Sequence, residues 1–360
     1  MKRIEELREK IDEIDNKIIE LLDKRAFYAK EIGKIKKELN LPIYSPEREI
    51  SIFKRIEEIT KNNKNMPTNV IKQIYKEIIS YTRALEKSIK VGFLGPEASY
   101  THQAAIENFG TSVEHISFST IDDIFKSVYE GKIEYGVVPI ENSYNGVVFR
   151  TMDMLIEFDV YIIGEIYLRI KHCLLSKCKN IKEIKKLYAH SQSIEQCKIF
   201  INKNIPNVII EETSSNSAAV LKALNDEESA AIASSIASQV YDINILEFGI
   251  EDSSDNTTRF IIIGKESIQV KEEKSKTSII ISVINKPGIL FSILKEFADR
   301  SINLTKIESR PSKKKAWDYI FFIDFEGNIR DEKIKEVISK IKEKTVFTKI
   351  LGSYPLGGIF

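Results

Sequence analysis

Apolar residues recur at steps of three and four through Ile4, Leu7, Ile11, Ile14, Ile18, Leu21, Tyr28, Ile32, Ile35 and Leu39. That is the seam of one long helix over residues 2 to about 39, with Arg25 standing where the other members are apolar or aromatic. Asn40-Leu41-Pro42 ends it. Ser45-Pro46-Glu47 reads as a cap with proline in the first turn of a second helix, which Asn62-Asn63-Lys64-Asn65 breaks. Pro67 opens a third, running to about Lys87. Three helices, one far longer than its neighbours, cannot close a core alone, so the long helix is expected to pair with that of a second copy.

From Lys90 the period changes. Strand-like pieces at Val91–Leu94, Tyr135–Ile140, Val160–Ile163, Leu187–Ala189, Ala230–Ala233 and Phe260–Ile263 alternate with helical ones at Tyr100–Phe109, Ile121–Glu130, Ile194–Asn202 and Asn216–Leu224. This predicts an α/β domain of two lobes. Gln269 to Lys276 is almost wholly charged or polar and reads as a linker. The rest reads strand (Thr277–Ile284), helix (Gly288–Arg300), strand (Asn303–Ser309), strand (Trp317–Phe325), helix (Asp331–Lys344), strand (Val346–Ser353). That βαββαβ order is the α+β ferredoxin-like arrangement. The chain is therefore multidomain: all-α over 1–88, two-lobed α/β over 91–268, and ferredoxin-like over 276–356.

Composition agrees with this division. At 360 residues, with 42% hydrophobic and 30% charged side chains, the chain has the make-up of a globular protein of two or three domains. Its apolar runs are too short to span a membrane, and the N-terminus lacks an apolar signal core, so a cytoplasmic location is expected. Cys173, Cys178 and Cys197 form neither a disulfide framework nor zinc-ligand spacing, and no metal or cofactor is expected. The net charge of +1 is unevenly placed. Residues 1–90 carry 21 basic and 16 acidic side chains (+5), 91–268 carry 15 and 25 (−10), and 269–360 carry 18 and 12 (+6). An acidic centre argues against nucleic acid as a partner but leaves room for a small anion.

Two constellations carry candidate chemistry. Arg25 in its apolar seam must meet a partner or an anion, and Lys36 lies about 20° round the helix and roughly 16 Å along it. Arg8, Arg48 and Glu49 could complete a cationic pocket; the alternative is a coiled coil that tolerates one snorkelling arginine. The second constellation lies between Gly136 and Arg150, where an apolar strand is expected to stop at Pro139. Glu141, Asn142 and Ser143 follow at a strand end, where α/β folds bind small ligands, although an ordinary β-turn uses the same residue types. His102, His172 and His190 are expected to be structural.

The order Leu7-Arg8, Arg25, Gly33-Lys34-Ile35-Lys36, Pro42, Arg48-Glu49 resembles the all-helical chorismate mutases. The resemblance implies an intertwined dimer in which Arg8 of the partner chain, Arg25, Lys36 and Arg48 hold the carboxylates and ether oxygen of chorismate, with Glu49 at the ring hydroxyl. Thr82 and Glu86 stand where serine and glutamine are usual. A glutamate donates to the ether oxygen only when protonated, so mutase activity is expected to fall as pH rises.

Gly95-Pro96-Glu97-Ala98-Ser99-Tyr100-Thr101, Val138-Pro139-Ile140-Glu141-Asn142-Ser143, Thr213-Ser214-Ser215-Asn216-Ser217 and Thr257-Thr258-Arg259-Phe260 together resemble prephenate dehydratase. The resemblance implies Thr258 as donor to the leaving oxygen, helped by water or Glu141, with Asn142, Gln196, Thr213, Ser215 and Arg259 binding prephenate. Ala189, Ser191 and Asn216 depart from the usual pattern. The last segment resembles an ACT regulatory domain through Asn285-Lys286-Pro287-Gly288-Ile289-Leu290 and Glu308-Ser309-Arg310-Pro311. From this follows an L-phenylalanine site at Asn285, Gly288, Ile289, Leu290, Glu308, Ser309 and Arg310, with Ile289 replacing the usual alanine. Taken in this order, the three resemble the bifunctional chorismate mutase–prephenate dehydratases, which implies a homodimer or tetramer under feedback inhibition. The alternative is a non-catalytic receptor for an aromatic metabolite, which leaves Arg25 and Thr258 without a task.

Overall fold

The computed structural model describes residues 1–39, 41–253, 255–268, 270, 275–284, 286–311 and 319–357. Two compact units make up the chain, Met1–Ile89 with Phe109–Glu114, and Lys90–Asn108 with His115–Phe360.

In the first unit α1 (Lys2–Glu38), α2 (Pro46–Thr60) and α3 (Thr68–Glu86) follow the predicted helices. Ile52, Ile56 and Ile79 form a small core between α2 and α3, with Phe53, Ile71 and Tyr75 packed against it. Helix α1 meets α3 at Gly33, where an added Cβ would lie 2.9 Å from Glu86 Cα, so only glycine permits the approach. Beyond that crossing α1 stands clear, and its seam residues Ile4, Leu7, Ile11, Ile14 and Ile18 are all about half exposed or more.

The second unit holds three sheets. In the first lobe are β1 (Lys90–Leu94), α4 (Tyr100–Phe109), β2 (Glu114–Phe118), α5 (Ile121–Tyr129), β3 (Tyr135–Asn142), β4 (Gly146–Val147), α6 (Phe149–Glu157) and β5 (Tyr161–Arg169). The chain then crosses to a second lobe of β6 (Cys173–Ser176), β7 (Lys186–Ala189), α7 (Ser191–Gln196), α8 (Lys198–Asn204), β8 (Ile209–Glu212), α9 (Asn216–Ala223), β9 (Ser229–Ala233), α10 (Ile236–Tyr241) and β10 (Asn244–Phe248). It returns as β11 (Thr257–Gly264), which lies antiparallel between β3 and β5 in a sheet ordered β2-β1-β3-β11-β5 with β4 beside β3. The second sheet is ordered β10-β6-β9-β7-β8. Two crossovers, residues 170–172 and 249–256, therefore join the lobes, and they are tied together: Gly249 and Ile250 N–H groups donate to His172 O at 3.0 Å, and Ile170 N–H donates to Asn256 O at 2.8 Å.

Contrary to the sequence expectation, Pro139 does not end its strand. Strand β3 continues to Asn142, and a register shift opposite Arg259 and Phe260 absorbs the missing donor. The helix predicted over Ile194–Asn202 is two short helices parted at Cys197, and β2, β4, β6, β8, β10, α6 and α10 have no counterpart among the predicted elements.

The third sheet, β13-β14-β12-β15, comprises β12 (Ser275–Val283), β13 (Leu304–Pro311), β14 (Tyr319–Glu326) and β15 (Phe347–Pro355), with α11 (Ile289–Ala298) and α12 (Glu332–Lys344). This is the predicted ferredoxin-like order. Ile279, Ile281 and Val283 pack on α11 and α12, whereas Ile280, Phe322, Leu351 and Tyr354 join the core of the first lobe. With both faces covered, β12 is almost continuously buried. Gly352 passes close above β5, where a Cβ would stand 2.2 Å from Ile162 O.

Candidate active sites

Helix α1 sets Arg25, Ile32 and Lys36 along one stripe, α2 contributes Arg48, Glu49 and Ile52, and α3 contributes Ile79, Thr82, Arg83 and Glu86. Together they line a cavity of about 480 Å³. Arg25 Nη1 donates to Thr82 Oγ1 at 2.6 Å and to Ile78 O at 3.3 Å. Lys36 Nζ donates to Glu86 Oε2 at 2.9 Å and to Ile43 O at 2.8 Å. Glu86, expected to act as a protonated donor, is instead the acceptor of an ion pair. Arg83 was not foreseen: its guanidinium donates to Glu49 and lies 5.1 Å over the Tyr44 ring. Its spacing from Ile79 along the inner face of α3 was the available signal.

The cavity walls carry four cations (Arg25, Lys36, Arg48, Arg83) against two carboxylates (Glu49, Glu86), a formal surplus of +2. Burial lowers the Arg25 pKa, with Arg48 adding to the effect and Tyr75 and Glu86 opposing it. Burial also raises the Glu49 pKa, and Arg83 and Lys36 only partly offset the shift. Arg8 is exposed and does not line this cavity. Seventeen residues of helix, about 25 Å, separate it from Arg25.

The second site is a cleft of about 290 Å³ between the two lobes, lined among others by Asn142, His172, Gln196, Asn216 and Thr258. At its centre Asn142 Nδ2 donates to Thr258 Oγ1 and to Asn256 Oδ1, each at 2.8 Å. Asn142 Oδ1 accepts from the Tyr144 and Asn145 N–H groups, both at 3.0 Å. All the amide's groups are thus engaged within the protein. Thr258 Oγ1 accepts a hydrogen bond there, which leaves its own proton available for donation in the cleft that it lines. Asn142 accordingly orients Thr258, where direct contact with substrate was expected.

Several expected contacts fall elsewhere. Arg259, adjacent to Thr258 on a strand, faces the opposite way. Its Nε donates to Glu165 Oε2 at 2.8 Å, Nη1 to Asp324 Oδ2 at 2.6 Å and Nη2 to Tyr354 Oη at 3.0 Å. Lys276 Nζ closes the cluster on Glu165 at 2.9 Å. Burial pulls the Arg259 pKa down, but Asp324, Tyr354 and Glu165 outweigh it and leave the value well above its ordinary level. Glu141 is likewise unavailable as a relay, because Lys306 Nζ donates to it at 2.6 Å from β13. Thr213 Oγ1 donates to Ser215 O, and Ser215 Oγ caps α9 by accepting from Ala218 N–H, so neither hydroxyl reaches the cleft lining. Among the histidines, His102 Nδ1 accepts from Ala98 N–H and burial lowers its pKa to about 4, while His190 Nδ1 accepts from Gln192 N–H at the start of α7.

On the third sheet, Gly288, Ile289 and Leu290 line a pocket of about 290 Å³ with Val283, Lys286, Phe291, Tyr319 and Phe321. Gly288 precedes α11 with φ +79°, a conformation suited to glycine. Asn285 lies outside the described residues. Glu308, Ser309 and Arg310 do not line the pocket, and Arg310 pairs instead with Asp153 at 2.9 Å and lies over the Phe149 ring. Among the described residues no helix is long and apolar enough to cross a membrane.

Family models match three consecutive segments: chorismate mutase type II over residues 7–87, prephenate dehydratase over 91–268 and ACT domain over 277–343. A bifunctional chorismate mutase/prephenate dehydratase of Aquifex aeolicus is 47% identical over 357 residues, covering 99% of this chain and 98% of that protein. One from Pseudomonas aeruginosa is 39% identical over 359 residues, covering 98% of each. Among solved structures, the prephenate dehydratase of Arthrobacter aurescens in complex with L-Phe matches with a TM-score of 0.68 at 28% identity, covering 74% of this chain and 90% of that one. With helical cavity, two-lobed cleft and ferredoxin-like sheet in this order, and relatives alike from end to end, the chain belongs to the bifunctional chorismate mutase/prephenate dehydratase family.

Proposed function

We infer that the chain rearranges chorismate to prephenate in the helical cavity, then decarboxylates and dehydrates prephenate to phenylpyruvate in the two-lobed cleft. The observation that carries this reading is the +2 surplus of the 480 Å³ cavity, which matches the two carboxylates of chorismate. In that rearrangement one C–O bond breaks as one C–C bond forms, and no external acid, base or nucleophile takes part. Arg25, Arg48 and Lys36 clamp the dianion in its compact conformer and stabilise charge at the ether oxygen. Thr82 holds Arg25 in place, and Glu49 accepts from the ring hydroxyl. Glu86 holds Lys36 in an ion pair that restrains it at the cavity wall.

In the dehydratase reaction carbon dioxide departs, its electron pair enters the ring, and hydroxide leaves from the opposite carbon as the ring becomes aromatic. Thr258 donates a hydrogen bond to that leaving oxygen, with its proton aimed by Asn142. Among the described residues the cleft lining carries no lysine or arginine, so Gln196 and backbone N–H groups receive the carboxylates.

Domains over 1–88, 91–268 and 276–356 divide the work. Exposure of the α1 seam supports a homo-oligomer in which long helices pair and Arg8 enters the partner's cavity. Feedback inhibition by L-phenylalanine acts through the pocket at Gly288–Phe291, supported by the L-Phe complex of the Arthrobacter aurescens relative. The location is cytoplasmic. The test is spectroscopic: chorismate absorbance lost, then phenylpyruvate gained, with and without phenylalanine. Arg25→Ala should leave chorismate unconverted, and Thr258→Ala should accumulate prephenate. Full turnover by both variants refutes the assignment.

A further inference from the structure

His172 sits on the first crossover between the lobes, 2% exposed, with no task in the reaction described above. Its ring bridges two other residues of the cleft lining: Nδ1 lies 2.8 Å from Tyr100 Oη and Nε2 lies 2.7 Å from Gln196 Oε1. Its backbone is fastened to the second crossover, with N–H donating to Glu251 Oε2 at 2.9 Å and the carbonyl accepting from Gly249 and Ile250. The imidazole is thus held where the two hinge segments meet.

The proton positions follow from the partners. An amide oxygen only accepts, so Nε2 carries the ring proton. The neutral ring then leaves Nδ1 as acceptor, and the Tyr100 hydroxyl, which also lies 3.1 Å from Lys171 O, gives its one proton to the nearer Nδ1 at 2.8 Å. Burial, the largest influence, holds the His172 pKa below its ordinary value, while Gln196 and Glu251 pull the other way. Glu251, Tyr100, Lys171, Cys173 and Cys197 are titratable groups of the same neighbourhood.

We propose that His172 is a positioning residue of the dehydratase site: it fixes the amide of Gln196 so that the NH₂ group, never the oxygen, faces a carboxylate of the substrate. The proposal rests on the dehydratase reading of this cleft. A terminal amide has two orientations of nearly equal shape, and without a fixed donor at its oxygen it can present that oxygen to the anion. In a cleft whose described lining has no lysine or arginine, one inverted amide changes an attraction into a repulsion. Tyr100 acts one step further back, since a hydroxyl proton donated to Nδ1 favours the tautomer that carries its proton on Nε2.

The test uses the full chain, prephenate as substrate, and its chorismate mutase activity and thermal unfolding as folding controls. His172→Asn keeps a group near Tyr100 but cannot reach Gln196, and should raise KM for prephenate at least tenfold while kcat changes less than threefold. His172→Gln restores a donor near Nε2 and should recover most of the loss. Tyr100→Phe removes one hydroxyl and should raise KM several-fold. In a Gln196→Met background, which itself raises KM, neither His172→Asn nor Tyr100→Phe should have any further effect. An unchanged KM in His172→Asn, failure of His172→Gln to recover it, or equal losses in both backgrounds overturns the proposal. If His172→Asn fails to fold, Tyr100→Phe in the two backgrounds decides alone. A wild-type chain that does not consume prephenate refutes the dehydratase reading instead.

Discussion

Replacing Arg259 by methionine separates a structural from a substrate-binding role for the cation beside Thr258. Arg259, Glu165, Asp324 and Lys276 have side chains 6%, 0%, 8% and 5% exposed, and form a balanced cluster of two cations and two carboxylates. Methionine fills much of the volume but leaves two buried carboxylates facing one lysine. Breaking a buried pair in this way costs about 3–5 kcal/mol, because the remaining charge keeps its desolvation penalty and loses its compensation. Ser278 Oγ and Gly357 N–H still donate to Asp324 and Glu165, which puts the expected cost at the lower end, about 3 kcal/mol. The assay is denaturant unfolding of the full chain, followed by loss of prephenate turnover and by circular dichroism, with chorismate turnover as the reporter of the helical unit. The dehydratase transition should move to lower denaturant, the mutase transition should not, and KM for prephenate in native buffer should stay within about twofold. Adding Asp324→Leu should recover part of the stability, since an apolar pair of similar volume lacks the buried charge. A raised KM with an unmoved transition refutes the reasoning and returns Arg259 to the substrate.

Four further outcomes are expected. The acid limb of mutase kcat/KM should lie above the ordinary glutamate value of 4.5, because burial raises the Glu49 pKa and activity is lost as that carboxylate gains its proton; Glu49→Gln should abolish that limb. Glu86→Gln frees Lys36 from its ion pair and supplies an amide donor, so mutase turnover at neutral pH should rise, and a slower variant with an unchanged pH profile counts against this. Asn142→Asp replaces the donor to Thr258 by an acceptor and draws the hydroxyl proton away from the cleft, so dehydratase kcat should fall about a hundredfold, measured by phenylpyruvate absorbance. Lys306→Met should leave uninhibited turnover nearly intact but weaken inhibition by phenylalanine, and an unchanged inhibition curve counts against β13 as the connection.

Wherever the signal was periodic, the sequence was legible: the seam of α1, the βαββαβ order and most central strands could be read from apolar spacing alone. Short edge strands such as β8 and β10 were not, because half-exposed runs of four or five residues carry little periodic information. Pro139 misled in a different way, since a bulge lets a strand pass a residue without a donor. The assignments of Arg259 and Glu141 failed against a rule the sequence already contained. Consecutive strand residues point to opposite faces, so a cleft-facing Thr258 and Asn142 require Arg259 and Glu141 to face away. What the sequence withheld was the identity of their partners, Asp324 and Lys306, 65 and 165 residues further along the chain.

That same alternation gives the first lobe two chemically distinct faces on the same two strands. One presents Asn142 and Thr258 to the cleft; the other presents Glu141 and Arg259 to the third sheet. Strand β13 adds a second anchor through Arg310 and Asp153, so Lys306 and Arg310 bracket Glu308 on the side facing the first lobe. The pocket proposed for the effector lies instead at the start of α11, beside the Val283 end of β12. A ligand there alters turnover only through a difference in its affinity for two arrangements of the whole unit. The anchors join the third sheet to the first lobe, and Ile280, Phe322, Leu351 and Tyr354 extend that lobe's core. A rearrangement that parted these two would expose apolar surface and unpair buried charge. The less costly motion keeps them together and moves the second lobe about the paired crossovers, where His172 and Gln196 meet.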